Sequence, residues 1–183
     1  IVINSAAYTT VDKAEDEQEL ANQVNHLAVK QLAEIVKAQK AKLIHISTDY
    51  VFDGESDKAY LETDETNPIN VYGKTKLAGE KALQEIMPTD AIIIRTSWLY
   101  SEFGNNFVKT MLNLGKERDE LNVVSDQIGS PTYATDLAET ILKIIDNKNY
   151  QNKEQLTEIY HYSNEGEISW YDFTKEIFKL AKI

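Results

Sequence analysis

Two short apolar runs separated by helical patterns constrain the fold of this chain most strongly. Residues 42–47 and 91–96 are apolar runs of strand length, and each ends in polar or aromatic residues. Apolar residues at helical spacing precede the first run, at residues 20–36, and the second run is preceded by a segment that is predicted to be helical from Tyr72 through Glu80 and Glu85. Helices that alternate with continuously apolar strands are typical of a parallel sheet covered on both faces. The sequence therefore predicts an α/β fold built on a parallel sheet.

The rest of the chain is predicted to supply shorter elements. A capping-box pattern of Asp12 followed by Glu15 predicts the start of a first helix that runs to about residue 40. Further predicted elements are strands at residues 1–4, 121–124 and 159–162, and helices at 106–116, 135–146 and from 170. Residues 53–68, 126–132 and 147–157 are polar and carry turn signals, so we expect surface loops there.

Tyr72 and Lys76 are four residues apart in the second helical pattern, so they share one face of the predicted helix. A phenol beside an ammonium group is expected to have a pKa below its usual value of about 10, which would let it pass a proton near neutral pH. Tyr171 and Lys175 have the same spacing, and ten tyrosines make a chance match expected. We favour Tyr72 and Lys76 because their helix connects two of the predicted strand ends.

Polar and aromatic side chains follow three of the predicted strands, at residues 4–9, 47–50 and 96–98. Ligands of an open parallel sheet bind at the carboxyl ends of its strands. A hydroxyl at Thr48 that contacts the same carbonyl oxygen as Tyr72 would polarise it. Each residue also has a structural explanation: Thr48 as a turn residue, Asp49 as a loop cap and Trp98 as core packing.

The amino-acid composition argues against several classes of binding partner. The net charge of −11 argues against nucleic acid or an anionic membrane, and no apolar run is long enough to span a bilayer. The absence of cysteine removes disulfides and thiolate metal sites and fits a cytoplasmic protein. The three histidines have no ligand spacing, so no metal site is predicted, and His45 is expected in the core or at a sheet edge.

The chain opens within an apparent strand and closes within a helical pattern. We interpret it as an internal fragment of a longer protein and expect an unpaired edge strand in its sheet. The seven glycines form no phosphate-binding cluster. The fragment alone is therefore expected to be inactive.

Several stretches resemble, in order, the dTDP-4-dehydrorhamnose reductases, a family of the extended short-chain dehydrogenase/reductases. They are residues 3–15, 45–54, 72–80, 95–100, 106–108, 126–132 and 169–171. The resemblance implies a Rossmann-like parallel sheet, of which only the second half is present, with part of a smaller α/β substrate-binding domain. Residues 1–100 would be the C-terminal half of the dinucleotide-binding domain. Residues 101–183 would be mostly substrate-binding, with segments that return to the Rossmann core.

The family's activity implies hydride transfer from NADPH or NADH to the C4 keto group of dTDP-4-dehydro-L-rhamnose. The product would be dTDP-L-rhamnose, a precursor of cell-surface polysaccharide. By this resemblance Tyr72 protonates the carbonyl oxygen, Lys76 lowers the pKa of the tyrosine and binds the nicotinamide ribose, and Thr48 completes the triad.

The same resemblance implies the binding residues. The cofactor would contact Ala6, Ala7, Tyr8, Thr9, Tyr72 and Lys76. The substrate would contact Thr48, Asp49, Tyr50, Trp98, Gln127 and Pro131, with the last two toward its nucleotide end. The family distinguishes NADPH from NADH by a residue on a strand that has no counterpart in this sequence. The choice between the two cofactors is therefore left open.

Other functions are also compatible with this sequence pattern. The regulatory subunit of methionine adenosyltransferase shares the pattern and is a non-catalytic binding protein. Sugar-nucleotide epimerases and dehydratases use the same tyrosine and lysine, although dehydratases add an Asp-Glu pair where Thr48 is followed by Asp49 and Tyr50. A homodimer is left open, as is an interfacial Mg²⁺ found in some relatives, whose ligands do not map onto this sequence.

Overall fold

A computed structural model describes residues 1–152 and 154–183. The chain divides into two compact units. Unit 1 comprises residues 1–96 and 143–161, and unit 2 comprises residues 97–142 and 162–183. The functional assignment of the two parts of the chain stays a prediction.

The helices and strands follow one another in an alternating order over the first half of the chain. The strands are β1 (Val2–Asn4), β2 (Leu43–Thr48), β3 (Ala91–Thr96), β4 (Leu99–Tyr100), β5 (Ile128–Gly129), β6 (Thr132–Tyr133), β7 (Glu158–Tyr162) and β8 (Ile168–Ser169). The α-helices are α1 (Val11–Ala14), α2 (Gln18–Asn22), α3 (Ala28–Ala38), α4 (Val71–Ile86), α5 (Phe107–Glu117), α6 (Ala134–Asp146), α7 (Lys148–Asn152) and α8 (Trp170–Ala181). A π-helical turn (Gln23–Leu27) joins α2 to α3, and a 3-10 turn (Asp49–Val51) follows β2.

The main sheet has the strand order β1-β2-β3-β7, which places β1 at one end of that order. The β1–β2 and β2–β3 pairs are parallel, with Asn4 opposite His45 and Thr48 opposite Thr96. The carboxyl ends of these strands therefore lie at the same edge of the sheet. This confirms the prediction of an α/β fold with a parallel sheet.

One face of the sheet is covered by α3 and α4. The alternating residues Leu43 on β2 and Ala91 and Ile93 on β3 are almost fully buried. They pack against buried side chains of the two helices, which are Val29, Ala33, Val36, Leu83 and Met87. Burial of each large apolar side chain contributes about 1.5–3 kcal/mol. This apolar cluster therefore fixes α4 on the sheet.

Two glycines let α4 lie very close to other backbone segments. A Cβ atom at Gly73 would lie 2.1 Å from the carbonyl oxygen of Tyr50. A Cβ atom at Gly79 would lie 2.2 Å from the carbonyl oxygen of Asn25. Only glycine fits at these contacts, which join α4 to the 3-10 turn and to the π-helical turn.

The first helical region differs from the prediction. Residues 12–40 form α1, α2, the π-helical turn and α3 in place of one continuous helix. Asp12 lies in the first turn of α1, whose N-cap residue is Thr10 and which has no side-chain cap. The predicted capping box is therefore wrong, because the Glu15 carboxylate accepts a hydrogen bond from Val71 N–H instead.

Unit 2 contains two small sheets, the parallel pair β4–β6 and the antiparallel pair β5–β8. The predicted strand at residues 121–124 is wrong, because these residues form no strand. The carbonyl oxygen of Val124 instead accepts a hydrogen bond from Tyr171 N–H. The predicted loop at 126–132 contains β5. The side-chain interior of this unit is rich in aromatic rings, which are Trp98, Tyr100, Phe107, Tyr133, Trp170 and Phe173.

The loop predicted at residues 147–157 is partly wrong, because α7 occupies Lys148–Asn152. Lys153, which belongs to the same predicted loop, lies outside the described residues. Within the described parts of the chain, no helix combines the length and apolar character needed to cross a membrane.

Candidate active site

Two side chains cap the amino end of α4 and so position its first turn. The Asn70 side-chain oxygen accepts a hydrogen bond from Gly73 N–H at 2.7 Å. Glu15 Oε1 accepts a hydrogen bond from Val71 N–H at 2.8 Å. Both backbone donors belong to the first turn, where helix N–H groups have no partner within the helix. These caps hold the turn that carries Tyr72.

Tyr72 is buried, with 8% of its surface exposed, and the Thr48 side chain is close enough to its phenol to lower the pKa of that group. Thr48 ends β2 and is itself held by the 3-10 turn, since its Oγ1 accepts a hydrogen bond from Tyr50 N–H at 3.2 Å. Thr48 Oγ1 also lies 3.0 Å from Asp49 Oδ1, to which it donates. The structure therefore brings Thr48 and Tyr72 together, as the sequence predicted.

The pKa of Tyr72 is raised to about 12, mainly by burial and to a smaller extent by the nearby Asp49 and Tyr50. The Thr48 side chain lowers this pKa, but by less than burial raises it. The sequence-based expectation of a pKa below 10 is therefore wrong, because the cost of ionising a buried phenol outweighs its stabilising contacts. The phenol is protonated at neutral pH and can donate.

Lys76 lies one turn after Tyr72 and has only 1% of its surface exposed. Its Nζ donates a hydrogen bond to the carbonyl oxygen of Ile46 at 2.8 Å. Burial lowers the pKa of Lys76 to about 8, and the charge of Glu80 opposes that shift. The ammonium group is thus held at β2 rather than in solvent.

A buried carboxylate follows one further turn along α4. Glu80 is fully buried, and both of its oxygens accept hydrogen bonds from Arg95, including one from Nη2 to Oε2 at 2.7 Å. The Ser47 hydroxyl donates to Oε1 of the same carboxylate. Tyr72, Lys76 and Glu80 therefore form one polar row on the buried face of α4.

The loop after β1 carries the predicted cofactor residues. Its backbone is held by Asn4, whose side-chain oxygen accepts from Ala6 N–H at 3.2 Å. It is also held by Asn25, whose side chain accepts from Tyr8 N–H at 2.9 Å and donates to Tyr8 O at 3.0 Å. Ala6 and Thr9 are exposed, whereas Ala7 and Tyr8 are half-buried. The small side chains of Ala6 and Ala7 leave the loop backbone open to close approach by a ligand.

Sequence reasoning missed Asn25. It is fully buried in the π-helical turn, and its amide also donates to Thr75 Oγ1 at 3.2 Å on α4. Because a buried amide must be hydrogen-bonded, an asparagine within an apolar helical pattern was the available signal. Asn25 therefore connects the loop after β1 to the helix of Tyr72.

Asp49 and Tyr50 lie beside Thr48. Burial raises the pKa of Asp49 to about 6, despite the hydrogen bond from Thr48 that favours its ionised form. The Tyr50 ring is partly exposed and meets the Tyr72 ring edge-on, with 5.5 Å between ring centroids. Thr48, Asp49 and Tyr50 thus adjoin Tyr72 within unit 1, while their contact with a substrate stays a prediction.

The remaining predicted substrate residues belong to unit 2. Trp98 has a left-handed backbone (φ 48°) and stacks on Trp170, with 3.4 Å between ring centroids. A Cβ atom at Gly129 would lie 2.6 Å from the Trp98 ring, so glycine is required there. Gln127 is exposed and Pro131 is half-buried. The assignment of these three residues to substrate binding stays a prediction.

The second Tyr-Lys pair has different surroundings. Tyr171 is 45% exposed, and Lys175 Nζ lies 5.1 Å from the centroid of its ring. Lys175 also lies 3.6 Å from Asp172 Oδ1, with both side chains largely exposed. This pair is a surface cation–π contact, unlike the buried pair on α4.

His45 is a core residue, as predicted, with no exposed surface. Its Nδ1 lies 3.0 Å from Asn4 Nδ2. Because Asn4 Oδ1 already accepts from Ala6 N–H, the amide nitrogen must donate to Nδ1, so the neutral ring carries its proton on Nε2. In the parts of the chain that the structure describes, no group of three or more histidine or acidic side chains is arranged to hold a metal ion.

A parallel α/β sheet with threonine at one strand end and a buried Tyr-x-x-x-Lys helix beside it defines the short-chain dehydrogenase/reductase class of fold. The family model described as the RmlD substrate binding domain matches residues 1–183. The chain belongs to that family.

Similar proteins carry a consistent description. The chain is 48% identical over 182 residues to dTDP-4-dehydrorhamnose reductase of Escherichia coli (strain K12), covering 100% of this chain and 60% of the relative. A crystal structure of a dTDP-4-dehydrorhamnose reductase from Clostridium acetobutylicum superposes with a TM-score of 0.92 at 49% identity, over 100% of this chain and 62% of that one. The Bacillus anthracis reductase in complex with NADP gives a TM-score of 0.91 at 48% identity, over 99% of this chain and 62% of that one. The chain thus spans about three-fifths of the length of these relatives.

Proposed function

We propose that the protein containing this chain is an NAD(P)H-dependent reductase of the C4 keto group of dTDP-4-dehydro-L-rhamnose, with dTDP-L-rhamnose as its product. The observation that carries the proposal is the burial of both Tyr72, whose pKa is affected by Thr48 at the end of β2, and Lys76, one helical turn away. The similarity to dTDP-4-dehydrorhamnose reductases supports this choice of substrate. Such a protein would be an oxidoreductase of sugar-nucleotide metabolism that serves polysaccharide biosynthesis.

The three side chains have distinct roles in the proposed reaction. The carbonyl oxygen accepts hydrogen bonds from the Thr48 hydroxyl and the Tyr72 phenol, which polarise the carbonyl. As the carbonyl carbon is reduced, Tyr72 gives its proton to the oxygen. The ammonium group of Lys76 stabilises the phenolate that remains. The nicotinamide ring, when bound, supplies the hydride.

The binding residues are proposed from the same geometry. The loop Ala6, Ala7, Tyr8 and Thr9 would hold the cofactor together with Tyr72 and Lys76. Support comes from its place at the carboxyl end of β1, where ligands of parallel sheets bind, and from the exposure of Ala6 and Thr9. The NADP complex of the Bacillus anthracis relative favours NADPH over NADH.

The substrate is proposed to contact Thr48, Asp49 and Tyr50 through its sugar. Trp98 is also proposed to contact the sugar, whereas Gln127 and Pro131 are proposed to lie toward the nucleotide end of the substrate. In this arrangement residues 1–100 would serve mainly the dinucleotide and residues 101–183 mainly the substrate.

Turnover of a full-length protein that contains this chain tests the proposal. NADPH oxidation should depend on added dTDP-4-dehydrorhamnose, and mass spectrometry should show that the product gains one hydride and one proton. An isomerised substrate with no net NADPH consumption would indicate an epimerase. Tight cofactor binding without turnover would indicate a non-catalytic homologue such as the regulatory subunit considered above. Either result would contradict the proposed reaction.

A further inference from the structure

A buried ion pair lies directly behind the lysine of the candidate site. Glu80 and Arg95 have 0% and 4% of their surfaces exposed, and three hydrogen bonds join them. The Ser47 hydroxyl donates to the same carboxylate, so both Glu80 oxygens have partners. Lys76 precedes Glu80 by four residues on α4, which places the two side chains on the same helix face.

The charges in this cluster alternate in sign. The Glu80 carboxylate is paired with the Arg95 guanidinium group, and its charge also acts on the Lys76 ammonium group one turn earlier on the buried face of α4. The three groups together carry one positive charge, which a Tyr72 phenolate would balance. Without Glu80, two buried cations would remain, and the lysine is the one that can lose its proton.

We propose that Glu80 is a positioning residue whose carboxylate, fixed by Arg95 and Ser47, keeps Lys76 charged while its Nζ donates to the Ile46 carbonyl. The inference rests on the proposed function and assigns a role to a carboxylate that does not touch the reacting atoms. A purely structural ion pair would stabilise the fold but leave the charge state of Lys76 unchanged.

The electrostatic surroundings agree with this role. Burial lowers the pKa of Lys76, and the charge of Glu80 raises it, so the lysine would lose its proton at still lower pH without the carboxylate. Two histidines are electrostatically coupled to the cluster. Burial lowers the pKa of His45 on β2, and the charge of Lys76 lowers it further. Burial also lowers the pKa of His161 on β7, a shift that Arg95 reinforces and Glu80 opposes.

The test is a ¹³C-lysine NMR titration of Lys76, assigned by comparison with Lys76→Arg. In Glu80→Gln, which keeps the shape of the side chain, the pKa of Lys76 should fall by about one unit or more, the size of shift that one nearby charge produces. The control Glu85→Gln removes an exposed carboxylate from the same helix and should leave the pKa of Lys76 unchanged. Circular dichroism confirms that each variant is folded.

A second variant keeps the proposal falsifiable where Glu80→Gln does not fold. Glu80→Asp retains the charge but withdraws it by one methylene, so the pKa of Lys76 should fall less than in Glu80→Gln. An unchanged pKa of Lys76 in a folded variant at position 80 would overturn the proposal, as would an equal shift in Glu85→Gln.

Kinetics of the full-length protein provide an independent readout. In Glu80→Gln the alkaline limb of the kcat/KM profile should move to lower pH by the same interval as the pKa of Lys76. If the pKa of Lys76 shifts in Glu80→Gln but the wild-type protein has no reductase activity, the proposed function alone is contradicted. If the wild type is an active reductase but the pKa of Lys76 is the same in wild type and in Glu80→Gln, only this inference is contradicted.

Discussion

The carboxylate of Glu15 and the backbone N–H of Val71 are hydrogen-bonded at 2.8 Å, although 56 residues separate them. The short segment after β1 therefore caps the helix that carries Tyr72 and Lys76. Glu15 follows α1, which comes directly after the loop proposed to hold the cofactor, so this part of the chain is joined to the amino terminus of the helix proposed to carry out proton transfer. Several measurements can test this arrangement.

Loss of the Glu15 cap should destabilise unit 1. Glu15→Ala removes the acceptor for an otherwise unpaired helix N–H, and we expect the free energy of unfolding to fall by about 1 kcal/mol. Urea denaturation followed by circular dichroism measures the change. Glu34→Ala removes an exposed carboxylate from α3 and should have little effect. Equal losses in both variants would show that the contact with Val71 contributes nothing.

Tyr72→Phe should abolish most of the proposed reductase activity. The variant keeps the ring that packs against Tyr50 and removes only the proton donor, so we expect kcat to fall about 10²–10⁴-fold with little change in substrate affinity. Steady-state kinetics and equilibrium binding on the full-length protein separate the two effects. Tyr171→Phe is the matched control, because Tyr171 belongs to the exposed pair. A normal kcat in Tyr72→Phe would remove this residue from the mechanism.

Gly79→Ala should destabilise the protein despite the higher helix propensity of alanine. The added methyl group would lie 2.2 Å from the Asn25 carbonyl oxygen, which is far inside van der Waals contact. We expect a net loss of about 1–3 kcal/mol of unfolding free energy, because this overlap outweighs a propensity gain of about 1 kcal/mol. Denaturant unfolding gives the value, and Glu85→Ala on the exposed side of α4 serves as reference. A stabilised Gly79→Ala protein would contradict the observed contact.

His45 should make the protein less stable as the pH falls. Burial and the charge of Lys76 lower its pKa from 6.5 to about 3, so the folded ring stays neutral while the unfolded ring gains a proton below pH 6.5. The unfolded state then binds more protons, and stability is lost as the pH falls from 6.5 toward 3. Between pH 6.5 and pH 5, His45 is expected to lower the free energy of unfolding by about 2 kcal/mol.

The comparison of wild type with His45→Gln isolates this effect. Unfolding free energies at pH 7 and pH 5 should differ less in the variant, which has no titrating ring. Identical pH dependence in the two proteins would show that His45 accepts its proton as readily in the folded state as in the unfolded state.

The elements that the sequence predicted well are those whose own residues determine them. Strands β2 and β3 are continuous apolar runs, and α4 has apolar residues at helical spacing with Asn70 as its cap. The placement of Thr48 beside Tyr72 followed from the rule that strand ends carry ligand-binding residues. Local pattern and general topology were sufficient for the centre of the candidate site.

The failures have long-range causes. Glu15 has the spacing of a capping box with Asp12, yet its partner is on α4, which local spacing cannot reveal. Residues 121–124 are apolar enough for a strand but form no ladder, since strand formation depends on an available neighbour. The predicted direction of the Tyr72 pKa shift was wrong. The sequence shows that a lysine lies four residues away, but it does not show how deeply the phenol is buried.

The close approach of α4 to its neighbours at Gly73 and Gly79 has an evolutionary consequence. Main-chain atoms are common to all residues, so these two contacts do not depend on which side chains occupy positions 50 and 25. Over evolution the contacts therefore constrain the two glycines themselves, because any larger residue there would displace the helix that carries the tyrosine.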